Sequence, residues 1–273
     1  MKKWTGERLE TFILNRDTIE HLHRYAIAKQ YVENKIVLDI ACGEGYGSHL
    51  LASRAHQVIG VDIDETTIRN ATKKYKKNNI EFLVGSTSEI PLQNQSVDIV
   101  ISFETIEHHD EHNQMMIEIK RVLKPNGILI ISTPDKLTYS DRRNFVNEHH
   151  IKELYKDEFL KLTKSFFSNN QLLNQSYING ISILLDENQP KNIYFGGNFD
   201  SIHQELKESL YLIIIASDFA FEQQKLTIFD GSEISKIQQI KENLIIKESI
   251  TFRVGHIILY PIKFLNKIFN LKC

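Results

Sequence analysis

Short apolar runs alternate with longer amphipathic stretches through the first half of the chain. The apolar runs are rich in Val and Ile and predict five buried strands: KIVLDI (35–40), QVIGVDI (57–63), IEFLV (80–84), VDIVIS (97–102) and GILIIST (127–133). Between them, GSHLLASRA, ETTIRNATKKYKK and EHNQMMIEIKRVLK carry apolar residues at helical spacing. This alternation is typical of a parallel sheet covered by helices on both faces, so residues 35–133 predict a doubly wound, Rossmann-like α/β fold.

The flanking regions complete this predicted organisation. DTIEHLHRYAIAKQYV predicts a helix, and residues 1–34 are interpreted as an N-terminal helical cap. LLNQSYINGISILL and SLYLIIIAS each predict one late strand, which gives a seven-stranded, mostly parallel sheet within a domain spanning 35–217. Residues 186–208 are poorly patterned and are interpreted as an insertion in that domain. Residues 218–273 are Lys-rich with helical spacing, and predict a helical C-terminal extension.

Charge and cysteine content narrow the function classes. The 33 Lys and Arg residues nearly balance 35 Asp and Glu residues, which argues against a nucleic-acid partner. Cys42 and Cys273 are too few for a disulfide framework and favour a reducing compartment. Charges interrupt the N-terminus, and no run approaches the roughly 20 apolar residues of a spanning helix. We therefore expect a cytoplasmic protein, at most peripheral to the inner membrane.

The basic, apolar end of the chain allows four interpretations. Residues 250–273 interleave apolar side chains with Lys and Arg around a proline, the pattern of an amphipathic surface helix. Such a helix can pack on its own domain, on the second subunit of a homodimer, or on a membrane surface or partner.

A glycine-rich turn follows the first predicted strand. In VLDIACGEGYGS, Gly43, Gly45 and Gly47 leave the backbone open to a ligand at the strand end. Asp62 ends the second strand, 19 positions after Gly43, where an acidic residue accepts hydrogen bonds from both ribose hydroxyls. The two features together predict a nucleoside-bearing ligand.

Two cofactors compete for this geometry. The dinucleotide pattern G-x-G-x-x-G is not met, because from Gly43 its third glycine falls on Ser48, and from Ala41 its first is missing. S-adenosylmethionine carries an ammonium group and no phosphate. Asp39, on the strand before the glycines, suits that ammonium and repels a pyrophosphate. The pattern therefore favours S-adenosylmethionine.

Four segments in succession resemble the motifs of class I S-adenosylmethionine-dependent methyltransferases: VLDIACGEGYGS, VIGVDID, FLVGSTSEIPLQNQSVDIVISFETIEH and RVLKPNGILIISTP. The resemblance covers about residues 15–180. Two departures are Ala41, where the family usually has its first glycine, and Ser86, where many members have Asp. The resemblance implies a cofactor site in which Asp39, Ala41, Gly43 and Gly45 line the methionine half, Asp62 and Ile63 the ribose and adenine, Ser86 and Thr87 the adenine edge, and Phe103 and Glu104 the transferable methyl.

The residues needed to activate the acceptor depend on which acceptor atom attacks the methyl group. An alcohol must lose its proton as it attacks and needs a base, for which histidine is the best suited near neutral pH, whereas a neutral amine attacks unaided. FETIEHHDEH and NEHHIKEL place histidines after the fourth strand and after a polar loop at 134–147. His108 matches a histidine common in small-molecule methyltransferases of this class. We predict that His108 or His150 is the base and that Glu104 and the loop shape the acceptor pocket.

The resemblance extends to a subset encoded with bacterial surface-polysaccharide (O-antigen or capsule) enzymes. That subset carries Asn-x-x-His before a helix, here residues 147–150, and starts with Gly-Glu-Arg and His-Arg-Tyr, here residues 6–8 and 23–25. In this resemblance Arg24 would meet the cofactor carboxylate through its planar guanidinium.

The sequence thus predicts O-methylation of a sugar or sugar-derived precursor of a cell-surface glycan. Three alternatives stay open: methylation of an amino sugar, another amine or a phosphate; an inactive cofactor-binding module that docks a partner enzyme; and a nicotinamide-dependent oxidoreductase. No H-E-x-x-H or comparable ligand spacing occurs, so the sequence predicts no metal.

Overall fold

The computed structural model describes residues 8–190, 193–205 and 208–248. The interpretations placed on residues 250–273 lie outside these ranges. The chain divides into two units, residues 1–230 and 231–273. The first contains the sheet and the second contains one described helix.

Nine strands form the main sheet of the first unit, in the order β11-β7-β6-β10-β5-β4-β1-β2-β3. Their bounds are β1 Ile36–Ile40, β2 Gln57–Asp62, β3 Ile80–Val84, β4 Val97–Phe103, β5 Leu123–Pro134, β6 Asn169–Ile178, β7 Ile181–Asp186, β10 Tyr211–Ser217 and β11 Thr227–Asp230. The pairings among β1 to β5 are all parallel, whereas β10 runs antiparallel between β5 and β6. The doubly wound, Rossmann-like α/β fold predicted from the sequence is confirmed.

Helices cover both faces of this sheet. Their bounds are α1 Arg16–Ala28, α2 Tyr46–Leu51, α3 Glu65–Lys74, α4 His112–Val122 and α5 Lys156–Lys164, and α6 Ser232–Glu248 lies in the second unit. Successive strand side chains point to opposite faces. Leu38 therefore packs in a core with Met116 of α4, and its neighbour Val37 packs in a second core with Ile27 of α1. Within the described ranges, no helix is both long and apolar enough to cross a membrane.

The prediction of seven strands is wrong. The segment interpreted as one late strand is the β6–β7 hairpin, whose two-residue turn holds Asn179 at φ 45° and Gly180 at φ 90°. An Asn-Gly pair between apolar runs is the standard signal for such a turn, because both positions need positive φ. The sequence therefore contains a signal for this hairpin.

The predicted helical extension over 218–273 is also wrong in its first part. Residues 227–230 form β11, which pairs with β7, and the helix begins only at Ser232. The strand is short and its Ile228 is largely exposed, so the segment lacks the apolar run from which a buried strand is predicted. In the insertion predicted over 186–208, β8 Tyr194–Gly197 and β9 Ile202–Glu205 form a separate two-stranded sheet.

Candidate functional site

A cavity of about 510 Å³ opens at the carboxyl ends of the parallel strands. Ligands of open α/β sheets bind at this edge, because the loops that follow the strands diverge there. The volume falls within the range of roughly 300–1,000 Å³ typical of small-molecule sites. Ten of the predicted site residues line it: Ala41, Gly43, Asp62, Ile63, Ser86, Thr87, Phe103, Glu104, His108 and His150. Three others, Arg24, Asp39 and Gly45, do not.

The turn between β1 and α2 presents bare backbone to the cavity. Ala41, Gly43 and Gly45 all have positive φ, at 60°, 53° and 80°. A Cβ at Gly45 would lie 2.7 Å from Phe82 Cζ, whereas one at Gly43 would meet nothing within 4 Å. Gly45 is therefore fixed by packing, and Gly43 leaves room over the backbone for a ligand. Ala41 accepts a conformation that costs an L-residue about 1–2 kcal/mol.

Asp62 joins this turn to the end of β2. Its Oδ2 accepts a hydrogen bond from the Gly43 amide at 2.9 Å, and its Oδ1 accepts from the Asp64 amide at 3.0 Å. Arg8 reaches the same Oδ1 at 3.3 Å and Asp64 Oδ2 at 2.9 Å. The carboxylate is thus held in a fixed orientation at the cavity wall. Sequence reasoning placed Asp62 there but gave Arg8 no role beyond the resemblance.

Asp39 lies beneath the turn instead of lining the cavity. Its two carboxylate oxygens accept hydrogen bonds from Tyr25 of α1 at 3.2 Å and from Ser48 of α2 at 2.7 Å. Burial raises the pKa of Asp39 from 3.8 to about 6, and the Asp62 charge acts in the same direction, while the two hydroxyl donors oppose it. In this structure Asp39 ties both helices to the strand end.

We expect Asp39→Asn to change how stability depends on pH. The folded protein holds the Asp39 proton more tightly than the unfolded chain, so this stabilisation is complete below about pH 4 and is lost as the pH rises through about 6. Wild type should lose up to about 3 kcal/mol of unfolding free energy relative to Asp39→Asn over that interval. Urea unfolding at a series of pH values measures this.

Asp218→Asn is the control for that titration. A hydrogen bond from Lys120 lowers the pKa of the Asp218 carboxyl, so its contribution is lost as the pH falls, not as it rises. A difference between wild type and Asp39→Asn that stays constant from about pH 4 to 7 would contradict the assignment.

Arg24 forms a buried ion pair under the cavity. Its Nη1 lies 3.1 Å from Glu104 Oε1, its Nε donates to Gln175 Oε1 at 2.7 Å, and its guanidinium lies 4.4 Å from the Tyr211 ring centroid. Glu104 directly follows β4, has φ 52°, and also accepts a hydrogen bond from Ser132 Oγ at 2.6 Å. Arg24 therefore orients the Glu104 carboxylate, whereas the sequence had predicted that it would meet the cofactor carboxylate.

The two histidines predicted as bases meet in space although they are 42 positions apart. The rings of His108 and His150 are perpendicular, with centroids 5.1 Å apart. His108 Nδ1 donates to the His149 carbonyl at 2.9 Å, which leaves the lone pair on Nε2. His150 Nδ1 lies 2.5 Å from Glu153 Oε1, and its Nε2 lies 3.0 Å from Asn147 Nδ2. These partners assign a proton to Nδ1 of each neutral ring.

The buried Glu107 carboxylate lies close to the His108 and His150 rings. Its Oε2 accepts from Thr133 Oγ1 at 3.1 Å, and its Oε1 has no hydrogen-bond partner among the residues that the structure describes. Burial, reinforced by the nearby Glu104 charge, raises the pKa of Glu107 well above its usual range. The Glu107 carbonyl accepts from the amides of Ile151 and Lys152 at 2.8 and 3.0 Å. These two bonds bring the segment that carries His150 against the end of β4.

Sequence reasoning missed Glu153 and Tyr139 in this half of the site. Glu153 orients His150, and the Tyr139 ring stacks on the His150 ring with centroids 5.4 Å apart. Glu153 stands three residues after His150, a spacing that a helix or turn places on one side, and this was the only available signal. Tyr139 lies in a π-helical turn, Leu137–Asp141, inside the predicted loop. No sequence signal indicated its contact with His150.

Comparisons with known proteins agree with this geometry. Residues 38–131 match a family model described as a methyltransferase domain. A probable S-adenosylmethionine-dependent methyltransferase of Mycolicibacterium smegmatis is 39% identical over 130 residues, covering 47% of this chain and 50% of that protein. The ubiquinone biosynthesis O-methyltransferase of Rickettsia typhi is 36% identical over 137 residues, covering 48% and 55%. The chain therefore spans about half the length of these curated relatives.

Solved structures share the fold. A S-adenosylmethionine-dependent methyltransferase of Thermotoga maritima superposes with a TM-score of 0.54 at 18% identity, covering 74% of this chain and 90% of that one. A protein from Pyrococcus horikoshii gives 0.52 at 23% identity, with coverage of 78% and 93%. The open backbone at Gly43 and the oriented Asp62 carboxylate fit a nucleoside ligand. Residues 38–131 thus match a methyltransferase domain, and the relative from Mycolicibacterium smegmatis that aligns with part of this chain is a probable S-adenosylmethionine-dependent methyltransferase.

Proposed function

We propose that this protein transfers a methyl group from S-adenosylmethionine to a hydroxyl oxygen of a small-molecule acceptor. The observation that carries the proposal is the pair of oriented histidines, His108 and His150, in the wall of the cofactor cavity. Each donates from Nδ1 to a fixed acceptor, so each keeps the basic lone pair on Nε2. Proton removal at that point serves an alcohol acceptor and is not required by a neutral amine.

The cofactor half of the cavity would be formed by the strand ends. Asp62 would accept hydrogen bonds from the ribose hydroxyls, the backbone at Ala41 and Gly43 would border the methionine half, and Ser86 and Thr87 the adenine edge. When bound, S-adenosylmethionine supplies a methyl group already activated by its sulfonium. The residues of this chain therefore have to align the acceptor oxygen, exclude water and take one proton.

The acceptor half would be formed by Glu104, the two histidines and the wall that includes Tyr139 and Asn147. His108 or His150 would take the hydroxyl proton. For His150, the substrate hydroxyl would replace the Asn147 amide that now lies beside Nε2. Glu104, held by Arg24 and Ser132, is fixed beside the end of β4 and can accept a hydrogen bond from an acceptor hydroxyl.

We further propose that the acceptor is a sugar or sugar-derived precursor of a bacterial cell-surface glycan, methylated in the cytoplasm. The relative from Rickettsia typhi is an O-methyltransferase of ubiquinone biosynthesis, which supports an oxygen acceptor but does not indicate a sugar. The support for a sugar comes from the resemblance. The Asn-x-x-His at residues 147–150 resembles the pattern of enzymes encoded with surface-polysaccharide genes, and in this structure both of its polar ends line the cavity.

Methyl transfer to a panel of sugars, nucleotide sugars and amino sugars tests this proposal, with radiolabelled S-adenosylmethionine as donor. With a hydroxyl acceptor, His108→Ala or His150→Ala should lower kcat by about 10²–10⁴-fold. His112→Ala is the control, because His112 bonds the His109 carbonyl at the start of α4 and lies outside the cavity lining.

Three other results would each favour one of the alternatives. Turnover of an amine or phosphate that survives both histidine substitutions would mean methylation of nitrogen or of phosphate oxygen. Tight S-adenosylhomocysteine binding with no product from any acceptor would indicate a cofactor-binding module. Binding of a nicotinamide dinucleotide in place of S-adenosylhomocysteine would identify an oxidoreductase.

A further inference from the structure

We propose that Glu107, His108 and His150 form a binding site for one divalent transition-metal ion. One candidate ligand atom on each of the three side chains lies within 4.8 Å of the other two. All three residues line the same cavity. Ligand atoms around a tetrahedral ion with bonds near 2.0–2.2 Å lie about 3.3–3.6 Å apart, so the three side chains would move closer by up to about 1.5 Å on binding.

The hydrogen bonds of the two imidazole rings match those of metal-ligating histidines. Such histidines almost always donate the second ring N–H to a carboxylate or a backbone carbonyl, which fixes the ring and leaves the other nitrogen for the metal. His108 donates to the His149 carbonyl and His150 to the Glu153 carboxylate. Both rings therefore keep Nε2 as the ligand atom. The Asn147 amide near His150 Nε2 would be displaced by the ion.

The third ligand is a buried carboxylate with one unused oxygen. Glu107 is 1% exposed, and its Oε1 has no hydrogen-bond donor within the described part of the chain, while Thr133 holds Oε2. A buried acceptor without a partner is costly and rare in folded proteins. A cation between Glu107 and the two rings would provide the missing partner.

The donor set indicates which ions fit. Two imidazole nitrogens and one carboxylate oxygen suit Zn²⁺, Fe²⁺, Co²⁺ or Mn²⁺ better than Mg²⁺ or Ca²⁺, which take mainly oxygen ligands. Three protein ligands leave at least one coordination position for water or an acceptor oxygen. The consequence for catalysis rests on the proposed function: an acceptor hydroxyl on the ion would be more acidic, and the histidines would then act as ligands.

The sequence alone did not predict this site. Glu107 and His108 are adjacent and His150 follows 42 positions later, which matches no spacing motif. The site depends on the two hydrogen bonds from Ile151 and Lys152 to the Glu107 carbonyl, which are tertiary contacts.

Cobalt binding to the full-length protein tests the site without reference to methyl transfer. After chelator treatment and dialysis, Co²⁺ should bind at one equivalent and give visible d–d absorption bands. Glu107→Gln, which keeps the side-chain volume, and His150→Ala should weaken binding by more than about tenfold, and Glu153→Gln by about 10- to 100-fold. His149→Ala is the matched control, because it keeps the carbonyl that orients His108 and should bind Co²⁺ as wild type does.

Two outcomes overturn the site: wild type that gives no Co²⁺ bands, or bands that Glu107→Gln and His150→Ala leave unchanged while circular dichroism shows both variants folded. Because the readout needs neither cofactor nor acceptor, the two proposals fail separately. Stoichiometric Co²⁺ binding without methyl transfer to any acceptor would refute the proposed function alone. If the chelator-treated protein gives no bands after Co²⁺ is added but still transfers methyl groups, the metal site alone is refuted.

Discussion

Asp62→Asn should weaken S-adenosylhomocysteine binding by about 2–4 kcal/mol, or roughly 30- to 1,000-fold in Kd. The carboxylate would accept two hydrogen bonds from the ribose hydroxyls, and bonds to a charged group contribute about 1.5–3 kcal/mol each. The asparagine keeps one acceptor oxygen and presents an N–H₂ donor to the second hydroxyl. Isothermal titration calorimetry gives the Kd directly.

Asp64→Asn separates the ribose contact from the contact with Arg8. Both carboxylates bind Arg8, at 3.3 Å for Asp62 and 2.9 Å for Asp64, but only Asp62 lines the cavity. We expect Asp64→Asn to lower stability slightly, because Asp64 caps α3, and to leave the Kd within about threefold of wild type. Equal weakening in both variants would mean that Arg8, and not the ribose, is the partner that matters.

Arg24→Met should lower the free energy of unfolding by about 3–5 kcal/mol. Arg24 is 1% exposed, and its removal leaves the Glu104 carboxylate without its cationic partner and the Gln175 amide oxygen without the Arg24 Nε donor. The cost of an uncompensated buried charge exceeds the cost of losing both partners. Urea unfolding followed by circular dichroism measures the difference.

The double variant Arg24→Met/Glu104→Gln tests this explanation. It should recover part of the lost stability, since the unpaired charge is gone, and the coupling between the two sites should reach about 1–3 kcal/mol. Arg69→Met is the comparison for an exposed pair. Arg69 and Glu65 on α3 are more than half exposed, and such pairs contribute about 0–1 kcal/mol. Additive effects of the Arg24 and Glu104 substitutions would exclude the ion pair as the cause.

The sequence predicted the parallel half of the sheet because strands buried on both faces require continuous apolar runs. It failed where strands lie at the edge. Ile228 on β11 is 63% exposed, so nothing in its segment distinguishes a short edge strand from a surface helix. The β6–β7 hairpin was missed for a different reason. Asn179-Gly180 is a turn signal, but the apolar residues on both sides of it were interpreted as one continuous strand.

Some residues of the candidate site were likewise predictable from the sequence, and others were not. Gly43 and Asp62 were predictable because they lie at the carboxyl ends of two strands that pair, so their proximity is a property of the sheet. The contact of His108 with His150 and the support from Glu153 depend on how a long loop folds back, which no local pattern contains. Asp39 shows the limit of assigning a role by position, because two hydroxyls from neighbouring helices already occupy its oxygens.

The Glu107 carbonyl accepts hydrogen bonds from the amides of Ile151 and Lys152 and so fixes the chain at the far end of the loop. The loop can therefore vary in sequence between two fixed points. Everything that would hold the nucleoside is anchored in adjacent strands, whereas residues 135–147 run from the end of β5 to this attachment point. Insertions or exchanges in that stretch would remodel the pocket for a new substrate while the methyl donor site stays intact. If the proposed function holds, acceptor preference could therefore change through this stretch without changes in the strand ends that line the cavity at Gly43 and Asp62.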